Sequence, residues 1–178
     1  MPMNKLNFLL PILLFTSHHS VVSAQTLIDS LDQKIPGHHL KEDFRSLRTK
    51  LEASQPGLYL YIPKDSLDGI FNEMENSISG PMTSLEFFRK IAPLNKILRN
   101  LHTRIWPSAL YEKATETVLP RFPLDIYWHN SQMYVLRNNS TDESVQAGAV
   151  IKTINGESAG NVFQTILDHR VRDGFNET

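Results

Sequence analysis

Serine and lysine side chains that lie close together are the first residues to weigh for nucleophilic chemistry. Lys64 lies two residues before Ser66. A serine attacks a carbonyl carbon only when a neighbouring base accepts its proton and hydrogen-bond donors stabilise the oxyanion. The same segment opens a predicted helix with Asp65 as its N-cap, and capping explains these residue types better. The sequence therefore predicts no catalytic residue.

Histidines are the next candidates, because imidazole binds metals. His38 and His39 are adjacent, whereas His102 and His129 are scattered, and no His-Glu-x-x-His run is present. Adjacent side chains diverge, so we predict a solvent-exposed loop for His38 and His39. His102 is predicted to bond the last carbonyls of a helix. The sequence thus predicts neither a metal site nor a cofactor.

Composition and charge exclude several classes of protein. The 178 residues include 18 basic and 19 acidic side chains, for a net charge of -1. This balance gives no electrostatic argument for a nucleic acid partner or for binding to anionic lipid. Cysteine is absent, so disulfides and thiol chemistry are excluded.

The first 24 residues have the layout of a cleavable secretory signal peptide. Lys5 precedes an apolar run over 6–15, and Val22-Ser23-Ala24 offers small residues to a signal peptidase. The run is about half the length that a bilayer-spanning helix needs, although an N-terminal anchor remains the alternative. We therefore expect export to the periplasm or the cell exterior, with no stable membrane insertion after cleavage.

Helical periodicity follows in the first half of the chain. Residues 25–39 are predicted to be a polar linker, and residues 40–107 a helical domain. Apolar spacing of three and four residues predicts helices over 40–54 and 66–79. A third begins at Thr83, which forms a capping box with Glu86, and its apolar face extends to Leu101. Pro93 is expected to kink or split this helix.

The second half changes to strand patterns. Residues 122–129 and 133–136 predict a hairpin around the turn Asn130-Ser131, and residues 149–154 predict a buried strand. Asn155-Gly156 is a strong turn signal, and a last helix is predicted over 159–169. The fold class is therefore α+β.

Four segments together resemble the front part of a known family. They are Gln-Pro-Gly-Leu-Tyr at 55–59, His-Thr-Arg-Ile-Trp-Pro at 102–107, Gly-Ala-Val-Ile-Lys-Thr-Ile-Asn-Gly-Glu at 148–157 and Asp-Gly-Phe-Asn-Glu-Thr at 173–178. This order is similar to that of the tail-specific, or carboxy-terminal processing, serine peptidases. In that family a helical N-terminal domain leads to a PDZ-like domain and then to a catalytic core.

The resemblance implies a helical N-terminal domain followed by a partial PDZ-like unit over 118–178. Such a unit adds a polypeptide C-terminus to a sheet edge as an extra strand. The peptide-binding residues that the resemblance implies are Leu119, Arg121, Phe122, Leu124 and Ile126. Pro120 and Pro123 have no N–H to donate, whereas Arg121 supplies charge. A scaffold strand without any ligand is the alternative.

Three functions fit this sequence. The first is the substrate-recognition part of an exported serine peptidase that ends before its catalytic core and is inactive alone. The second is a stand-alone peptide-binding or docking module without enzymatic activity. The third is a helical interaction protein with an incidental PDZ-like tail. The sequence leaves the substrate and the oligomeric state open.

Overall fold

Helices occupy most of the chain up to residue 117, and two small sheets and a final helix follow. The computed structural model describes residues 23–176, so the predicted signal peptide, apart from its last two residues, lies outside the described residues. The α+β class is confirmed. The helices are α1 (Ala24–Asp32), α2 (Gly37–Ser54), α3 (Lys64–Ser77), α4 (Ser84–Ile91), α5 (Leu94–Ile97), α6 (Ala109–Thr117) and α7 (Ala159–His169). The strands are β1 (Leu124–His129), β2 (Gln132–Asn138), β3 (Val150–Ile151), β4 (Thr153–Ile154) and β5 (Glu157–Ser158).

The helical half is held together by the apolar faces of α2 to α5. Phe44 of α2 and Phe71 of α3 are fully buried and meet edge to face, with ring centroids 6.0 Å apart. An isolated bridge between Ile35 and Met82 fastens the segment before α2 to the segment before α4. Because burial of each such aromatic ring removes a large apolar surface from water, this cluster supplies the main stabilisation of the half.

The predicted features of the third helix are confirmed at its start and its middle. The Thr83 side chain accepts the backbone N–H of Glu86, and the Glu86 carboxylate accepts the backbone N–H of Thr83. The helix divides at Pro93 into α4 and α5, because proline cannot donate the backbone bond that a continuous helix needs. Its predicted extension to Leu101 is wrong, since α5 ends at Ile97 and Leu101 is exposed.

Several local predictions are wrong for identifiable reasons. The predicted linker over 25–39 contains α1, which is capped by Ser23. α1 packs against α6, and α6 was not predicted from the sequence either. Both His38 and His39 lie inside the first turn of α2, not in a loop, because that helix begins at Gly37. Asp65 is likewise inside α3, whose N-cap is Pro63. Pro36 and Pro63 are the N-cap residues of these helices, and their extended backbone leads directly into the first turn.

The predicted hairpin is confirmed, with shifted ends. Strands β1 and β2 pair antiparallel around Asn130 and Ser131, which both have positive φ (47° and 60°), as a tight two-residue turn requires. The register shifts between Asp125 and Ile126, where β2 carries one extra residue. β3 pairs with the other side of β2, so the order in this sheet is β1-β2-β3.

The predicted strand over 149–154 is divided at Lys152. Its first part is β3, whereas its second part, β4, pairs with β5 across the turn at Asn155 and Gly156. The Ser158 hydroxyl accepts the backbone N–H of Asn161 and thereby caps α7, which covers the span that the sequence predicts. α7 packs against β2, β4 and β5, and against α5 of the helical half.

The joint between the two halves is polar. The buried Asn95 of α5 donates from its side chain to the carbonyls of Ile105 and His169, and accepts the backbone N–H of Ile105. Next to it, the Lys96 ammonium lies 2.6 Å from the Asp168 carboxylate of α7. This hydrogen bond lowers the pKa of Asp168 below its ordinary value. Two consecutive residues of α5 therefore hold the end of α7.

Candidate functional site

The open edge of β1 is the best candidate site in the described part of the chain. A two-residue turn makes His129 and Gln132 a hydrogen-bonded pair, and such pairs alternate along an antiparallel ladder. The backbone groups of Ile126 and Trp128 therefore point away from β2. A further hydrogen bond agrees with this alternation. The carbonyl of Pro123 accepts the N–H of Asn139, so Pro123 faces the β2 side. Leu124 then also presents its N–H and C=O to the open edge.

The loop before β1 adds two backbone donors. Leu119 N–H is bonded to the carbonyl of Ala114, and the Arg121 Nε donates to the carbonyl of Thr115 at 2.8 Å. These two bonds anchor the loop to the end of α6. In contrast, the backbone N–H groups of Arg121 and Phe122 have no acceptor among residues 23–176. Two successive free N–H groups and a guanidinium are thus placed where the edge of β1 begins.

One face of the hairpin is closed by α7. The Trp128 ring stacks on Phe163 of α7, with centroids 4.0 Å apart and planes 9° from parallel. Ile126 and Trp128 lie on the same face as the buried Met133 and Val135, with which they are paired across the ladder. A strand added at the edge of β1 would therefore lie beside an apolar surface on this face.

Of the five predicted peptide-binding residues, two lie on β1 and three in the loop before it. Leu119, Arg121 and Phe122 belong to the loop, while Leu124 and Ile126 belong to β1 and direct their backbone groups to the open edge. The sequence prediction did not include Trp128 or Phe163. Alternation from Ile126 would have indicated Trp128, since side chains two residues apart share one face of a strand. Nothing in the sequence indicated that Phe163 would meet it.

Near the start of α3, Lys64 pairs with a carboxylate and not with Ser66. The Lys64 ammonium bonds to the carboxylate of Asp68, one turn further along the helix. This hydrogen bond raises the pKa of Lys64 above its ordinary value, whereas a general base that activates serine needs a lowered pKa. The geometry gives Lys64 a role in helix stabilisation.

The histidines are dispersed. His38 and His39 contact each other on α2, His102 lies in an exposed turn after α5, and His129 stacks against Tyr127 on the outer face of β1. Within residues 23–176, no group of three or more histidine, aspartate and glutamate side chains is arranged to hold a metal ion. Over the same residues, no helix combines the length and the apolar character that crossing a bilayer demands.

Comparison with known proteins gives no match. No family model, no curated protein and no solved structure is significantly similar to this chain.

Proposed function

We propose that this chain is the substrate-recognition and scaffold part of an exported tail-specific serine peptidase. In this proposal it binds polypeptide C-termini as an added strand at the edge of β1. The observation that carries the proposal is the row of outward backbone groups at Leu124, Ile126 and Trp128, which begins next to two free N–H groups. Backbone hydrogen bonds of this kind supply affinity without depending on the sequence of the peptide.

The direction of a bound peptide follows from this placement. A terminal carboxylate accepts hydrogen bonds from the N–H groups of Arg121 and Phe122, and the Arg121 guanidinium adds a positive charge. The peptide then lies antiparallel to β1, with its more N-terminal residues towards His129. The six residues of β1 span about 20 Å, so the edge accommodates the last four to six residues of a polypeptide.

Fluorescence anisotropy with a labelled octapeptide pool tests the binding mode. A pool with free C-termini is expected to bind, and the same pool with amidated C-termini is expected to bind at least about tenfold more weakly, because a charge-assisted bond is lost. Arg121→Gln should weaken binding of the free acids. Arg45→Gln is the matched control, because Arg45 lies on α2 and pairs with Glu75. Equal binding of acids and amides, or no binding at about 1 mM, would refute the proposal.

N-methylation of a selected peptide tests strand addition without altering the protein. Only alternate N–H groups of an added strand face β1. Methylation is therefore expected to abolish binding at every second peptide position and to be tolerated at the positions between. A uniform response along the peptide would contradict the proposed geometry.

Peptide hydrolysis separates recognition from catalysis. The purified chain is expected to leave the bound octapeptide intact in mass spectrometry. Cleavage that persists after repeated purification, and that a serine-directed inhibitor abolishes, would contradict the assignment of recognition alone. A stand-alone peptide-binding module uses the same edge, so these binding experiments test it equally.

A further inference from the structure

A concave site lies at the joint between the halves, next to the C-terminal end of α7. Its volume is about 640 Å³, within the range of pockets that hold small molecules. The segment 104–107 and the segment 169–173 form facing walls, and Phe88 of α4 contributes from the helical half. None of its lining residues belongs to β1 or to the loop before it, so this cleft is separate from the proposed peptide edge.

The cleft combines apolar walls with arginine side chains. Its apolar surface includes Phe88, Ile105 and the indole of Trp106, which is 63% exposed. Among residues 23–176, its charged lining residues are Arg104, Arg170, Arg172 and Asp173. The nearby Asp168 is already paired with Lys96. Arg172 is buried and has an interaction partner of its own, so the guanidinium groups that an incoming anion can meet are those of Arg104 and Arg170.

Two of these arginines differ in how they are held. The Arg104 Nε donates to the carbonyl of Leu101 at 3.3 Å, and its guanidinium lies 5.8 Å from the centroid of the Trp106 ring. The Arg170 side chain makes no hydrogen bond or ion pair with residues 23–176. Arg104 is thus fixed beside the aromatic wall, whereas Arg170 is available to an incoming ligand.

His169 also lines the cleft, and one of its ring nitrogens is engaged. Its Nδ1 lies 2.6 Å from the carbonyl oxygen of Thr165. A carbonyl only accepts, so Nδ1 carries the hydrogen and Nε2 is left as the second polar atom of the ring. The backbone at this point does not move freely, because the carbonyl of His169 accepts a bond from Asn95.

We propose that this cleft binds a small amphipathic carboxylate. The apolar or aromatic body of the ligand packs against Trp106 and Phe88, and its carboxylate lies between Arg104 and Arg170. The planar guanidinium group donates two parallel hydrogen bonds to a carboxylate, which gives orientation as well as affinity. A carboxylate that ends a peptide and one on a metabolite share this chemistry, and the experiment separates the two sources.

Calorimetric titration with 4-phenylbutyrate, and with 4-phenylbutanol as its neutral counterpart, tests the charge requirement. The carboxylate is expected to bind at least about tenfold more tightly than the alcohol. Trp106 emission should change on binding, and Trp106→Phe should remove that change. Equal affinities for acid and alcohol, or no heat at about 10 mM carboxylate, would overturn the proposal.

Substitutions distinguish this cleft from the peptide edge. Arg104→Gln and Arg170→Gln should each weaken 4-phenylbutyrate binding about fivefold or more, with Arg45→Gln as the control of equal charge change. If octapeptides do not compete with 4-phenylbutyrate, neither substitution should alter anisotropy with the octapeptide pool, which then reads only the edge of β1. If octapeptides with free C-termini compete with 4-phenylbutyrate, the carboxylate source is a peptide; if they do not, it is a small molecule. Unchanged affinity in both arginine variants would refute the site.

Discussion

Asn95→Leu tests whether one buried amide holds the two halves together. Asn95 is 4% exposed, and its side chain makes three hydrogen bonds, at 2.7, 3.0 and 3.2 Å. Leucine has nearly the same volume but satisfies none of the three partners. These are the N–H and C=O of Ile105 and the C=O of His169.

The expected loss follows from the number of abandoned partners. A buried polar group left without a partner costs about 1–3 kcal/mol, and partial access of water at the neighbouring cleft favours the lower end. Three partners at the lower end predict a loss of about 3 kcal/mol in the free energy of unfolding. For a domain of this size, that loss lowers the melting temperature by about 6–12 °C.

Urea denaturation, followed by far-ultraviolet circular dichroism and by tryptophan emission, measures the effect. The control is Asn161→Leu, the same chemical change at an exposed position of α7, which should stay within about 0.5 kcal/mol of the parent. A loss below about 1 kcal/mol for Asn95→Leu would show that the amide bonds do not hold the joint.

Two further predictions concern local geometry in the helical half. A Cβ on Gly37 would lie 2.9 Å from the carbonyl oxygen of Gly80, so Gly37→Ala should lower the free energy of unfolding by about 1–3 kcal/mol. The control is Gly69→Ala, in open space on α3, which should raise the free energy of unfolding by about 0.5–1 kcal/mol. A melting temperature for Gly37→Ala at or above that of the parent would contradict the close approach. The N–H of Thr83 lowers the pKa of Glu86 below 4.5, so the stabilisation by this carboxylate is complete above pH 4.5 and is lost as the pH falls through the lowered pKa. The stability gap between the parent and Glu86→Gln should therefore close on acidification in thermal melts, and a gap that widens instead would contradict this sign.

The predictions from sequence succeeded where the signal was local. The capping box of Thr83 and Glu86, the division at Pro93 and the turn at Asn130 each depend on residues within one or two turns of chain. The α+β class followed from the change of periodicity after residue 107. These features need no knowledge of distant contacts.

Distant contacts account for what the sequence did not predict. α1 and α6 are each nine residues long, and α1 buries Leu27 and packs against α6. Helices this short are marginal without tertiary packing. The stack of Phe163 on Trp128 joins residues 35 positions apart, and Asn95 bonds to a carbonyl 74 positions away. Such pairs leave no periodic trace in a single sequence.

The consecutive bonds of Asn95 and Lys96 to the end of α7 also fix how α5 is rotated about its own axis. Each residue added to a helix turns everything beyond it by about 100°. One residue inserted or deleted between Ala92 and Pro93 would therefore swing both side chains away from α7 at once. We expect the spacing in this short connection to tolerate substitution far better than any change in its number of residues.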